Sequence, residues 1–214
     1  AGIVTLLVGL SLYRMEHSAA LVKTSSMEML TEAAQARIES QGENQALEIR
    51  QQFMDAYQYG HGFSRQVLFL RDQAEKRFLD AFDLREDLTR QVKSALQANP
   101  ELLGLSLVFE ANALDGKDDL FTGQAELGSN DKGRFALYWS QPTPGKVTSM
   151  ALPESDMADT GTGPSGEPAN AWFTCPRTTL KPCVIEPYFY VIDGQKVLMT
   201  SIVFPLMVNG KVIA

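Results

Sequence analysis

Aromatic rings and carboxylates are concentrated in one part of the sequence, between residues 153 and 194. Six acids lie there, at positions 154, 156, 159, 167, 186 and 193, against two bases, Arg177 and Lys181. Four aromatic residues share the later part of the segment: Trp172, Phe173, Tyr188 and Tyr190. An aromatic face attracts a cation, and a carboxylate accepts charge-assisted hydrogen bonds from an ammonium group. The pattern indicates a site for a small cation; the alternative is that the rings are core and the acids belong to a solvated loop.

Enzyme motifs are not recognisable in the sequence. The string Gly161–Gly166 matches GxGxxG, but an acidic stretch precedes it and Glu167-Pro168 follows, where a dinucleotide site needs a strand and a helix. No histidine follows His61, so none is available later in the chain to activate a serine or cysteine. Carboxylates are plentiful, and an acid–base pair among them stays an open alternative that no spacing singles out. We therefore expect no catalysis and no cofactor.

Composition excludes further classes of protein. The chain has 214 residues, of which 44% are hydrophobic, enough for one good-sized domain or two small ones. Its net charge of −7 repels a phosphate backbone, so we expect no nucleic-acid partner. Two cysteines and two histidines are too few for a zinc finger or a metal cluster, so we expect no metal.

The first thirteen residues, Ala1–Tyr13, are apolar or neutral, and charged residues follow directly. A helix needs about 20 residues to span a bilayer, so this stretch alone is too short. We interpret residues 1–13 as the remaining part of a truncated transmembrane helix. The alternatives are the core of a signal peptide or a buried helix of a soluble protein.

The region from residue 14 to 99 has the composition of helices, with no proline and many Ala, Leu, Gln, Glu and Arg residues. Apolar residues recur at spacings of three and four, which predicts a long amphipathic helix. Gly60-His61-Gly62 predicts a kink or a break in it. Asp83 is predicted to cap a second helix, with Glu86 three residues on, and that helix is predicted to end at Asn99-Pro100.

All ten prolines lie at or after Pro100, where strand-forming segments begin. Five segments are predicted to be strands because they are rich in β-branched and aromatic residues: 103–109, 134–140, 146–152, 183–192 and 196–208. Asp193-Gly194 and Asn209-Gly210 predict hairpin turns, and 153–182 is predicted to be one long loop. Helices followed by an antiparallel sheet predict an α+β fold.

The two cysteines, Cys175 and Cys183, are eight residues apart and lie next to Pro176 and Pro182. In an oxidising compartment they would close a short loop ahead of the tyrosine-rich strand. We expect this disulfide; the alternative is two buried thiols.

Several motifs together resemble the double Cache ligand-binding region of bacterial chemoreceptors. They are Trp172-Phe173, the run from Glu186-Pro187-Tyr188 through Gly194, the segment Val197 to Pro205, and the stretches 109–121 and 133–139. The resemblance implies an α+β fold in which a long N-terminal helix packs against an antiparallel, PAS-like Cache sheet. It implies a helical region at 14–99, a membrane-distal Cache module at 100–205, and the start of a connection to a membrane-proximal module at 206–214.

The same resemblance implies a role in chemotaxis. The chain would be the periplasmic sensor, from about residue 14 onward, of a homodimeric methyl-accepting chemotaxis protein in the inner membrane. It would signal to a cytoplasmic module and its kinase complex, without catalysis.

Amino-acid-sensing members of that family carry the motifs Y-x4-R-x-W-Y and T-x-P-Y-x-D. The Arg binds the carboxylate of the ligand, and the Asp binds its amine. Asn170 stands at the Arg position of this chain and Tyr190 at the Asp position, so an amino acid is a poor candidate. The run C-P-x-x-T…C-x-x-E-P-Y is similar to the amine- and polyamine-sensing branch. The expected ligand-binding residues, with rings as walls and acids at the charged ends, are Tyr138, Trp139, Asp156, Asp159, Trp172, Phe173, Glu186, Tyr188, Tyr190 and Asp193.

Three alternatives stay open at this point. The sensor region of a histidine kinase or diguanylate cyclase would have the same pattern. An organic acid would need a basic pocket, for which Arg134, Arg177 and Lys181 are the candidates. An extracytoplasmic enzyme or an adhesin is the third.

Overall fold

A computed structural model describes the backbone of residues 2–192 and 194–214, and their side chains apart from residues 2–25, 28, 190, 192 and 195. The chain divides into two compact units, Ala1–Met54 and Asp55–Ala214. The first unit consists of helix alone, and all strands belong to the second.

Helix α1 runs from Gly2 to Arg77 without interruption. The helix has no break at Gly60-His61-Gly62, because all three residues are helical. In the first unit the described apolar side chains, such as Met27, Leu30 and Leu47, are exposed, apart from the half-buried Phe53. Over the described residues, no helix has a segment that is both long and apolar enough to cross a membrane.

Helix α2 runs from Ala81 to Gln97 and is capped by Asp80, not by Asp83 as predicted. The Asp80 carboxylate accepts a hydrogen bond from the Phe82 N–H at 2.8 Å, whereas Asp83 lies inside the first turn. Helix α1 ends before Phe78, because the φ of 54° at this residue is incompatible with a right-handed helix. The buried stripe of α2 faces the core: Leu84, Leu88, Val92 and Leu96.

Three strands form an antiparallel sheet in the order β1 (Gly104–Val108), β2 (Ala136–Thr143) and β3 (Lys146–Ala151). One face of this sheet packs against α1 and α2. Tyr59 of α1 fixes the two helices to each other, because its hydroxyl donates to the Ala95 carbonyl of α2 at 3.1 Å. Burial, and then the negative charge of Glu101, raise the pKa of Tyr59, which keeps the hydroxyl protonated as a donor.

The segment predicted as one long loop, 153–182, contains two short helices, α3 (Glu154–Ala158) and α4 (Ala171–Thr179). Pro176 lies inside α4, and a proline in a helix interior normally argues against a helix. The helix ends at Thr179, and the next residue, Leu180, has a left-handed backbone conformation. Its position is fixed by contacts with the sheet, which sequence periodicity over nine residues cannot show.

Two further hairpins complete the second unit. Strands β4 (Cys183–Ile192) and β5 (Gln195–Val203) pair antiparallel, and β6 (Met207–Val208) pairs with β7 (Lys211–Val212). The strand predicted for 196–208 therefore ends at Val203. The turn predicted at Asn209-Gly210 is confirmed, with positive φ at both residues. The turn predicted at Asp193-Gly194 includes Asp193, which lies outside the described residues.

A buried arginine connects α2 to the long connection between β1 and β2. The Arg85 side chain is fully buried and donates five hydrogen bonds. Its acceptors are the carboxylates of Asp115 and Asp118, the Ser129 hydroxyl and the Gly133 carbonyl. The guanidinium also lies over the Phe121 ring, 4.1 Å from its centroid. The connection therefore folds around one side chain of α2.

Candidate ligand-binding site

The sheet β1–β3 has two faces with different surroundings. Leu107, Leu137 and Trp139 point toward α1 and α2. Because side chains alternate along a strand, Ala136 and Tyr138 point to the other side. We call this other side, marked by Val108, Ala136 and Tyr138, the ring face.

Helix α4 places its aromatic residues on the ring face. Phe173 is buried and packs with Val108 and Ala136, and Trp172 packs beside it. The centroids of the Trp172 and Phe173 rings are 5.6 Å apart. Trp172 is only half-buried, so part of its ring is open to solvent. The expected aromatic pair is therefore assembled on the sheet.

Tyr138 is half-buried on the ring face. Its ring lies over Gly104 of β1, where a Cβ atom would come within 2.7 Å of the tyrosine ring and hydroxyl. Glycine at this position thus lets the Tyr138 side chain lie flat along the sheet. Ser106 of β1 and Met150 of β3 are its cross-strand neighbours.

Trp139 was expected beside Tyr138 as a wall of the site, and the structure places it on the opposite face. It packs with the core formed by α1, α2 and the sheet. The Lys93 ammonium of α2 lies 5.3 Å from its ring centroid. The physical reason is the two-residue period of a strand, which sends neighbouring side chains to opposite sides. Trp139 is a core residue and not part of the ring face.

Beneath Phe173, four charged side chains form an ion chain: Arg177, Glu110, Arg134 and Glu154. Arg177 Nε lies 2.5 Å from one carboxylate oxygen of Glu110, and Arg134 Nη1 lies 3.9 Å from the other. Arg134 Nη2 donates to Glu154 at 2.6 Å. Both guanidinium groups also approach the Phe173 ring, at 4.7 Å for Arg177 and 5.8 Å for Arg134. The ion chain connects α3, α4 and the sheet and fixes Phe173 between them.

Of the expected carboxylates, the three that the structure describes are exposed. Asp156 lies on α3, and Glu186 lies on β4. Asp159 follows α3 and is engaged locally, since its carboxylate accepts from the Gly161 N–H at 2.8 Å. Asp193 lies outside the described residues, as does the side chain of Tyr190. The hydrogen bonds to the Asp156 and Asp159 carboxylates come from nearby residues in the sequence, Ser155 and Gly161.

Asn170, which stands at the arginine position of amino-acid sensors, is buried at the start of α4. Its amide donates to the Met157 carbonyl at 2.9 Å. This bond ties α4 to α3, so the Asn170 side chain supports the fold.

A disulfide joins Cys175 of α4 to Cys183, the first residue of β4. Strand β4 also carries Tyr188, which is half-buried and pairs with Met199 of β5. The helix with Trp172 and the strand with Tyr188 are thus covalently connected. Of the expected ring residues, Tyr138, Trp172 and Phe173 share the ring face, and Tyr188 lies on the adjoining hairpin.

The glycine string Gly161–Gly166 forms a turn between α3 and α4. The Ala169 N–H donates to the Gly161 carbonyl, and the Gly163 N–H donates to the Glu167 carbonyl. No strand precedes this turn directly, which agrees with our rejection of a dinucleotide motif. Within the described part of the chain, no group of three potential metal ligands comes together.

Sequence reasoning did not include Glu110 and Glu154 among the expected ligand-binding residues. A signal was present for Glu110, because it directly follows the strand-forming run LGLSLVF. An acid at the end of a buried strand is positioned more rigidly than one in a loop. No sequence signal pairs it with Arg177, which lies 67 positions later in the chain.

Comparison with known proteins finds a similar chemotaxis protein and a similar extracellular domain. No family model matches the chain. The chain is 64% identical over 212 residues to the methyl-accepting chemotaxis protein TlpQ of Pseudomonas aeruginosa, a match that covers 99% of this chain and 30% of that protein. A solved structure, the extracellular domain of mmHK1S-Z3, assigned as a histidine kinase, is similar with a TM-score of 0.54 and 26% identity. That match covers 76% of this chain and 51% of the other.

A second extracellular domain, that of mmHK1S-Z2, is matched with a TM-score of 0.49 and 27% identity, over 74% of this chain and 54% of the other. The mmHK1S-Z3 structure confirms the predicted α+β fold with a long N-terminal helix and antiparallel sheets. The fold is similar to that of the mmHK1S-Z3 extracellular domain, and the sequence is similar to part of a methyl-accepting chemotaxis protein.

Proposed function

We propose that this chain is the ligand-binding sensor region of a transmembrane chemoreceptor and that it binds a small cationic amine or polyamine. The observation that carries the proposal is the 64% identity to a methyl-accepting chemotaxis protein across 99% of the chain. The double Cache type and the amine branch rest on the resemblance described above. The sensor has no catalytic role in this proposal.

The ring face supplies what an ammonium group needs. Trp172 and Tyr138 are both half-buried there, so their rings can contact a ligand without leaving the fold. An ammonium over an aromatic face gains most when it is partly desolvated. We assign Tyr138, Trp172 and Tyr188 as the ring walls, with Phe173 and Tyr190 extending them. The acids Asp156, Asp159, Glu186 and Asp193 are the candidates for the charged ends.

An organic acid is the weaker alternative because the available guanidinium groups are already neutralised. Arg177 is paired with Glu110, and Arg134 lies between Glu110 and Glu154. Two Arg134 donors, Nε and Nη1, make no hydrogen bond to the described residues, but both atoms are buried beneath Phe173. A carboxylate ligand would have to displace a protein carboxylate from this ion chain. Separating such a pair leaves a buried charge uncompensated, which is costly.

The rest of the receptor follows from the same proposal. Residues 1–13 would belong to a transmembrane helix, 14–99 to the helical region, 100–205 to the membrane-distal module, and 206–214 to the connection to a proximal module. Residues from about 14 onward would lie in the periplasm. The receptor would be a homodimer that signals to a cytoplasmic module and its kinase complex.

Calorimetric titration of the full receptor with putrescine, spermidine, histamine and the standard amino acids tests the ligand class. We expect an amine to bind with a Kd in the micromolar range, as is common for metabolite sensors, or about −8 kcal/mol. Binding of a carboxylate ligand, with no heat of binding for any amine, would show that the acids between 153 and 194 are only a solvated loop.

Replacing Trp172 with leucine is expected to weaken amine binding about tenfold, because an aliphatic side chain has no negative π face for the ammonium. Trp139→Leu is the matched control, since that tryptophan lies on the opposite face, and we expect its Kd to stay within about twofold of the original in folded protein. Titration of both variants, with circular dichroism to verify folding, makes the comparison. Equal losses of affinity would remove the ring face from the proposal.

A sensor region of a histidine kinase is the second candidate, because a domain assigned to such a kinase shares the fold. The two are distinguished by the output of the full protein. Ligand-dependent control of a separate kinase complex supports a chemoreceptor, and autophosphorylation of the same chain supports a sensor kinase.

A further inference from the structure

Because Gly60 has no side chain, the surface of α1 has a small recess there, and the ring of Phe204 occupies it. We call this recess the Gly60 notch. A Cβ atom added at Gly60 would lie 2.3 Å from Phe204 Cε2 and 2.9 Å from Cζ. The Phe204 ring also contacts Tyr57, one helical turn before Gly60, with ring centroids 5.2 Å apart. The phenylalanine therefore lies directly against the backbone of the long helix.

The neighbouring glycine shows that this contact is specific to one position. Gly62 is also in the middle of α1, and a Cβ atom there would meet nothing within 4 Å. Glycine weakens a helix relative to alanine at either position, because its backbone is more flexible when unfolded. Only at Gly60 does the missing side chain make room for another residue. A packing reason therefore exists for Gly60 and none for Gly62.

Phe204 stands at the end of a short path from the ring face to α1. Trp172 and Cys175 both lie on α4, and Cys175 is bonded to Cys183. Cys183 pairs with Val203 in the β4–β5 hairpin, and Phe204 is the next residue. One disulfide and one strand pair thus separate the proposed ligand contacts from the residue that touches the helix.

We propose that Phe204 in the Gly60 notch is the positioning contact through which the β4–β5 hairpin sets the position of α1. The inference rests on the proposed sensor function and adds the residue pair that couples binding to the helix. A ligand can shift a conformational equilibrium only by binding its two states unequally. A rigid ring that is either in the notch or out of it provides two discrete arrangements, because packed contacts do not deform continuously.

Gly60→Ala in the full receptor, with Gly62→Ala as the matched control, tests this coupling. The probes are putrescine and histamine, and the measurements are the Kd, the kinase activity without ligand, and the amplitude of the response to ligand. We expect Gly60→Ala to shift the basal kinase activity and to reduce the response amplitude about fivefold, with the Kd within about twofold of the original. We expect Gly62→Ala to leave all three unchanged while raising the Tm slightly, since alanine favours the helix.

Phe204→Leu completes a double-mutant cycle. If the added methyl group acts through the phenylalanine ring, Gly60→Ala should change the output in the Phe204 background and add nothing in the Phe204→Leu background. This non-additivity is a readout that a general loss of stability would not produce.

The outcomes separate this inference from the proposed function. A receptor that binds neither amine refutes the amine sensor, yet the basal kinase activity of the two glycine variants still tests the notch. Equal basal activity and equal amplitude in Gly60→Ala and Gly62→Ala would overturn the inference. So would a Gly60→Ala receptor that loses affinity and thermal stability in proportion to its output, because the contact would then be structural only.

Discussion

Replacing Arg85 with methionine is expected to lower the free energy of unfolding by about 3–5 kcal/mol, because it removes one partner of a buried ion pair and leaves the others uncompensated. The carboxylate side chains of Asp115 and Asp118 are each only 7% exposed, so water cannot replace the guanidinium. The Ser129 hydroxyl and the Gly133 carbonyl lose their donor as well. Methionine fills much of the volume, so the loss reports mainly on charge and hydrogen bonding.

The substitution should also loosen the connection between β1 and β2 locally. Gly133 has a φ of 76°, and a Cβ atom there would come within 1.8 Å of the Asp118 carbonyl oxygen. The backbone of Gly133 and the loop at Asp118 are therefore in direct contact, and both are held by Arg85. We expect faster amide exchange in this loop than in α2 of the same variant.

Arg90→Met is the control for Arg85→Met, because both residues lie on α2. The Arg90 side chain is 64% exposed and pairs with Asp87 one turn away. An exposed pair of this kind contributes at most about 1 kcal/mol. Urea unfolding of both variants, with the m-values compared, measures the difference. A loss for Arg85→Met no larger than that for Arg90→Met would show that the cluster is not essential to stability.

Periodicity predicted the helices and strands but not the contacts between them. The alternation of β-branched and aromatic residues gave strands at 183–192 and 146–152 close to their observed bounds. The spacing of Asp83 and Glu86 predicts a cap at Asp83, whereas the structure has the cap three residues earlier, at Asp80. The choice between them depends on Phe78, whose positive φ ends α1 and which no local pattern predicts.

The side of the sheet on which Trp139 lies could have been predicted from the sequence. Tyr138 and Trp139 are adjacent on a predicted strand, so they could not both face one site. Leu137 and Trp139 share one face, and an apolar neighbour two positions away indicates the core side. The ion chain, in contrast, joins Glu110 to Arg177, two residues that are far apart in the sequence. Such a pairing depends on how α4 docks on the sheet, which one sequence does not show.

Replacing both Cys175 and Cys183 with serine is expected to lower the free energy of unfolding by about 2.5 kcal/mol, as estimated from the loop-closure entropy of a loop of about nine residues. The loop is short because the two cysteines are eight positions apart. The functional effect should be larger than this value implies. The bond joins the helix of Trp172 to the strand of Tyr188, so its loss lets the two proposed ring walls move apart.

We therefore expect the serine variant to bind putrescine or histamine about tenfold more weakly, since part of the binding energy must then order α4 against β4. Reduction with dithiothreitol should have the same effect on the unmodified receptor and none on the variant. The disulfide also lies between Trp172 and Phe204, so the response amplitude should fall even at ligand concentrations that saturate the variant. Full amplitude at saturation would show that the disulfide only stabilises the site, and that the path from the ring face to the Gly60 notch does not need it.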